Sequence, residues 1–172
     1  MKNNYLFNYV VPNFDKHQNN LINLIHKIPN NPMEMSPPKC TVFHTDWNLP
    51  KKMYKEYLNY FREHILKDYA KSFCEHFKVE TLKFNNIWFQ VYRKGDSHMP
   101  HTHPQTHFTN IFYIKLPSQK VKTNINSLFK EQLNFEGKEG TIISFPGFFE
   151  HESPINNTDD EKIIISFNLD VE

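Results

Sequence analysis

No charge of either sign dominates this 172-residue chain: 20 lysines and arginines stand against 19 aspartates and glutamates. A basic footprint for nucleic acid or anionic lipid is therefore missing, and short runs such as Lys51-Lys52 read as solvated helix surface. Cysteine is nearly absent. The two present, Cys40 and Cys74, are isolated and fit no metal or redox motif. They read as reduced thiols of a cytoplasmic protein rather than as a disulfide. No run of about 18 apolar residues occurs, and the N-terminus has no apolar signal core, which argues against membrane spanning and secretion. Glycine is scarce as well, with four residues, and no internal repeat is visible. Aromatic residues are plentiful, at 15% of the chain. The length is that of one domain, 1–172, with a full core.

The first half reads as helical. Residues 5–11 have the pattern of a strand ended by Pro12. Leu21, Leu24, Ile25 and Ile28 recur at helical spacing, which predicts a helix over 15–28. Residues 29–40, rich in Pro and Asn, read as loop, and 41–47 as a short strand in which His44 is structural. A long helix is expected over 50–77, with Pro50 in its first turn. Its apolar stripe, Met53, Tyr54, Tyr57, Leu58, Phe61, Ile65, Tyr69, Phe73 and Phe77, is read as packing surface. His64 and His76 on the same helix are read as surface or core-edge residues. From residue 82 the period becomes that of strands: 84–93, 108–116, 141–145 and 162–169. Residues 117–138 fit no element. Helices followed by strands predict a mainly β fold, with a helical layer (1–80) against a sandwich or barrel (81–172).

The chemistry concentrates in residues 95–113. Four of the ten histidines fall between His98 and His107. His101 and His103 are two apart, so at a strand end both point to one side. Two imidazoles can hold one metal ion when a third ligand arrives from elsewhere, and His151, just past the strand at 141–145, is the candidate. A jelly roll brings such distant strand ends to one mouth. His98 and His107 are read as outer or exposed. On the last strand Lys162, Ile164, Ser166 and Asn168 share one side. A buried lysine there needs an anion or loses its charge. A ligand's carboxylate would be that anion, with the Tyr113 hydroxyl as a further donor.

These residues, taken together and in order, resemble a known family. Trp88-Phe-Gln-Val-Tyr-Arg-Lys-Gly-Asp, His101-Thr-His-Pro, Phe112-Tyr-Ile, Glu139-Gly-Thr-Ile-Ile-Ser-Phe-Pro, Phe149-Glu-His-Glu-Ser-Pro and Glu161-Lys-Ile-Ile-Ile-Ser-Phe-Asn are similar to motifs of the 2-oxoglutarate/Fe(II)-dependent oxygenases of marine bacteria and their phages. The likeness runs from about Trp88 to Asn168; before it, only Thr45-Asp-Trp-Asn-Leu adds to it. It implies a double-stranded β-helix, the cupin-like jelly roll, with Fe(II) and 2-oxoglutarate as cofactors and dioxygen as co-substrate. By position it implies His101 and His151 as metal ligands. His103 stands where the wider family carries Asp or Glu; Asp96 and Glu152 are conceivable substitutes at unusual spacing. Lys162 stands where an arginine pairs with the far carboxylate of 2-oxoglutarate, and lacks that arginine's two-pronged contact. Tyr113, Ser166 and Asn168 would complete that pocket.

The implied reaction is oxidative decarboxylation of 2-oxoglutarate to succinate, coupled to hydroxylation of a C–H bond in a substrate that no motif names. Two other readings stay open: a three-histidine zinc or iron enzyme of cupin type that does not use 2-oxoglutarate, and a non-catalytic jelly-roll binding module. Oligomeric state also stays open.

Overall fold

The structure, a computed structural model, describes residues 6–35, 40–50 and 52–172. Tyr5 of the first strand, Lys51 and residues 36–39 of the Pro-rich segment lie outside these. Six strands form one antiparallel sheet in the order β1 (Phe7–Val10), β9 (Thr141–Pro146), β7 (Phe108–Lys115), β11 (Lys162–Val171), β5 (Leu82–Tyr92), β4 (His44–Thr45). Three more, β6 (His98–His101), β10 (Glu150–Ser153) and β8 (Asn124–Asn126), form a second sheet in that order. A third pair, β2 (Met33–Met35) with β3 (Cys40–Val42), is a small antiparallel ladder. Sequence neighbours are rarely sheet neighbours, which is the winding of a jelly roll.

β11 is the axis of the large sheet. It pairs with β5 along one edge and β7 along the other. Its alternation decides two layers at once. Ile163, Ile165, Phe167 and Leu169 face helices, in a core with Phe61, Tyr69 and Phe73. Ile164, on the opposite face, packs with Tyr113, Phe145 and Ile125 between the two sheets. The molecule is thus a helical layer, a large sheet and a small sheet, with a core on each side of the large one.

The helices are α1 (Asp15–His26), α2 (Glu56–Phe61) and α3 (Lys67–Phe77), the last two joined by a π-helical turn, Arg62–Leu66. The π turn has a cause in the sequence. Tyr57, Phe61, Ile65, Tyr69 and Phe73 are all buried and spaced by four. On a 3.6-residue helix that stripe drifts by about 40° per step. A wider turn takes up part of the drift and keeps all five against the sheet.

Three sequence expectations are corrected. The long helix begins at Glu56 rather than at Pro50, because Lys55 is extended and its Nζ is drawn to the buried Asp46 carboxylate at 2.7 Å. Asp46 also accepts from Tyr57 Oη at 2.6 Å and from Phe89 N at 2.9 Å, so a tertiary anchor overrides helix propensity there. Within the segment read as loop over 29–40, Met33–Met35 pairs with the strand that begins at Cys40. The stretch 117–138, unassigned from sequence, holds a 3₁₀ turn (Gln119–Val121) and β8. Cys40 and Cys74 are free thiols, and among the described residues no helix is long and apolar enough to cross a membrane.

Candidate metal centre and ligand cavity

β6 and β10 carry the centre. Their antiparallel register sets His101 directly opposite His151, and directly opposed side chains on one face of a ladder meet. The two rings lie 4.2 Å apart between centroids. β6 ends at His101, so His103 is in the following loop and not, as the spacing predicts, on the same strand. What returns it to the site is its backbone: His103 N donates to Gly147 O at 2.7 Å. Its ring then stands 5.1 Å from those of His101 and His151. One nitrogen from each of the three comes within 4.8 Å of the others, a group able to hold a metal ion. Asp96 and Glu152 are not part of it. Asp96 accepts from Phe43 N and Arg93 N, and Glu152 from Asn124.

Gly147, in Phe145-Pro-Gly-Phe148, makes that approach possible. A Cβ at this position would overlap the carbonyl oxygens of Thr106 and His103. Both are main chain and cannot swing away. Gly147→Ala is therefore expected to push the two loops apart, weaken zinc binding severalfold and destabilise the fold by about 1–3 kcal/mol. Zinc titration and thermal unfolding check this.

The imidazoles are tuned to be neutral ligands. Burial holds the pKa of His101 below its usual value of 6.5 and that of His151 well below it. Burial, then repulsion from His101, takes His103 to about 4. Nδ1 of His101 lies 2.8 Å from Met99 O, and Nδ1 of His151 lies 3.1 Å from Phe149 O. A carbonyl can only accept, so both Nδ1 atoms carry hydrogen and both Nε2 atoms keep a lone pair. This is the second-sphere anchoring that metal-binding histidines need. His98, read as outer from sequence, has its ring 4.2 Å from His101 and also lines the cavity.

The centre opens into a cavity of about 730 Å³. Ile164, Ser166 and Asn168 line it, as the alternation of β11 predicts. Behind the cavity wall Lys162 is wholly buried; its Nζ donates at 2.8 Å to Ser153 Oγ, a lining residue, and stands 5.1 Å from the Tyr92 ring centre. Among the described residues no carboxylate lies within ion-pair distance of it. Burial pulls its pKa from 10.5 to about 7. Tyr113 Oη, buried between the two sheets, accepts from Thr123 N at 3.1 Å, while the buried Thr123 Oγ1, on the cavity wall, has no hydrogen-bond partner among the described residues. Ser153 and Thr123 were given no role from sequence: Ser153 stands beside His151 in a quoted motif without one, and Thr123 falls in the segment without a readable pattern. His107 is on the surface, donating its backbone N–H to Asp170.

No protein-family model matches the sequence, and no curated protein matches it. Solved structures do match the fold. A viral collagen prolyl hydroxylase from Paramecium bursaria Chlorella virus 1, solved as its 2OG complex, superposes with a TM-score of 0.62 at 17% identity, over 97% of this chain and 96% of that one. A 2OG-Fe(II) oxygenase family member from Burkholderia pseudomallei gives 0.71 at 12% identity, over 95% and 85%. A Pseudomonas putida prolyl-4-hydroxylase gives 0.64 at 11% identity, over 96% and 93%. At these identities the likeness is one of architecture. What the chain shares with the 2OG-Fe(II) oxygenases is their jelly-roll fold, and in that fold it sets three histidines where a metal ion can be held.

Proposed function

We propose that this protein is a 2-oxoglutarate- and Fe(II)-dependent dioxygenase that hydroxylates a small or macromolecular substrate. The observation that carries the reading is the buried Lys162, which has no carboxylate within ion-pair distance among the described residues and donates to Ser153, a residue lining the cavity that the three histidines open into. The donor set fits the metal: three neutral imidazoles are good ligands for Fe(II) and leave positions open. The surroundings fit a carboxylate: among the described residues the Lys162 ammonium meets the neutral Ser153 hydroxyl and no anion, and the Thr123 hydroxyl on the cavity wall has no hydrogen-bond partner.

His101, His103 and His151 would hold the metal. Lys162 and Thr123 would hold the far carboxylate of 2-oxoglutarate, with Tyr113 and Ser153 supporting them, and Ser166 would line its path. When bound, the iron and 2-oxoglutarate supply the oxidative decarboxylation with dioxygen that hydroxylates a C–H bond. The protein's own part is to fix the three Nε2 positions, bury the acid's tail and exclude water through the walls of the cavity. Among the described residues the outer wall, with Trp47, Trp88, Met33, Met35, Asn85 and Asn86, includes no lysine or arginine. It suits an uncharged, partly apolar substrate rather than a phosphorylated one. A zinc hydrolase would use the same histidines but has no need of an unpaired deep lysine.

Anaerobic addition of Fe(II) and then 2-oxoglutarate is expected to raise a new visible absorption band. Oxygen should then yield succinate, faster with a neutral ring-bearing substrate than with its phosphorylated counterpart. Absence of both the band and succinate would falsify the reading.

A further inference from the structure

Asn168 joins the centre to the sheet behind it. Its Oδ1 lies 3.3 Å from Thr109 Oγ1, and its Nδ2 lies 2.9 Å from His103 Nδ1. His103 is thus the one member of the group anchored by a side chain; the other two are anchored by main-chain carbonyls. The difference has a chemical consequence. A carbonyl presents one face to a ring, but an amide can present either end. With Nδ2 toward the ring, as here, His103 Nδ1 must accept. The ring hydrogen is then on Nε2, which has no lone pair for a metal. With the amide turned by 180°, Oδ1 accepts from Nδ1–H and the lone pair moves to Nε2.

Thr109 does not choose between the two states. Its hydroxyl donates to Oδ1 in the first and accepts from Nδ2 in the second, so the bond between the two residues is kept in both. Trp88, stacked on His103 at 5.9 Å and 9° between planes, keeps the ring in plane through the change. Asn168 and Thr109 are both buried, on the wall of the cavity.

We propose that Asn168 is the positioning residue that decides which nitrogen of His103 bears hydrogen, and that its amide turns over when metal arrives. Metal-free, the centre offers two lone pairs, from His101 and His151; loaded, it offers three. One hydrogen leaves Nε2 to water and one is taken up at Nδ1, so the ring stays neutral and no net proton is released. The proposal rests on the metal reading above.

Long-range proton–nitrogen correlation spectra of ¹⁵N-histidine-labelled protein, without metal and with Zn(II), test it. His103→Gln assigns the His103 signals by deleting them. Without metal, His101 and His151 are expected as Nδ1–H and His103 as Nε2–H; with zinc, all three as Nδ1–H. Asn168→Asp, whose carboxylate can only accept, should hold His103 as Nδ1–H before zinc is added and tighten zinc about tenfold. Asn168→Ala should weaken zinc by about 10–100-fold, the usual effect of losing a partner behind a ligand. The proposal is overturned if metal-free wild-type His103 is already Nδ1–H, or if it stays Nε2–H while zinc shifts the other two rings. In the second case the metal centre itself survives. Zinc that shifts none of the three rings overturns the metal reading along with it.

Discussion

Lys162→Met is expected to abolish 2-oxoglutarate binding while making the unliganded protein more stable. The lysine is wholly buried and, among the described residues, its ammonium meets Ser153 Oγ and the Tyr92 ring and no carboxylate. A 2-oxoglutarate carboxylate would supply the missing partner. Removing one member of a buried charge pair costs about 2–5 kcal/mol of binding, so the Kd should rise by roughly 30-fold to several thousand-fold. In the free protein the sign reverses. A pKa depressed from 10.5 to about 7 means that burial disfavours the charged form. At pH 7 this opposes folding by something on the order of 4 kcal/mol, which methionine of similar volume would not incur. Thermal unfolding should show a midpoint several degrees higher for the variant without ligand, and no further rise when 2-oxoglutarate is added.

The same lysine sets a pH dependence. Between about pH 7 and 10.5 the unfolded chain holds a proton here that the unliganded fold has lost. Stability of the unliganded protein therefore rises with pH across that window, and below it the full penalty applies. Ligand binding runs the other way. A bound carboxylate restores the charge, so above pH 7 each molecule bound must bring in a proton. Affinity should fall by up to tenfold per pH unit above 7 and be flat below. Calorimetry in buffers of different ionisation enthalpy reads the proton directly. Proton uptake near zero at pH 8 would show that the lysine does not meet the acid.

His151→Ala is expected to weaken metal binding by more than about 100-fold, since outer partners alone account for 10–100-fold. His151 is the most buried of the three histidines, at 5% exposure, and packs its ring against Phe145 at 4.9 Å. Zinc or cobalt titration should show the loss, and added metal should raise the unfolding midpoint of the wild type but not of the variant. His107→Ala, on the surface beside Asp170, should change neither. Equal effects of the two substitutions would place the metal elsewhere.

The centre was legible in sequence because its parts follow local rules. The alternation of β11 put Lys162, Ile164, Ser166 and Asn168 on one face, and the structure keeps them there. His101 and His151 could be paired in advance because ladder ends in a jelly roll converge. Other features had no local signature. β6 and β10 are four residues each, too short for a hydrophobic period to show, and they hold the histidines. Thr123 became part of the deep pocket only because Ile125 on β8 is packed under His151 by strand pairing.

By itself, then, the order of residues determined which groups could serve as ligands and which face of each long strand they occupy, because side-chain direction along a strand is a matter of parity. Tertiary structure alone decided their partners. It set His103 against Gly147 and Asn168, left Lys162 without a carboxylate partner among the described residues, and started the long helix at Glu56. Each of these is a contact between residues far apart in the chain, fixed by which sheets and loops close on one another, and no short-range pattern carries that information.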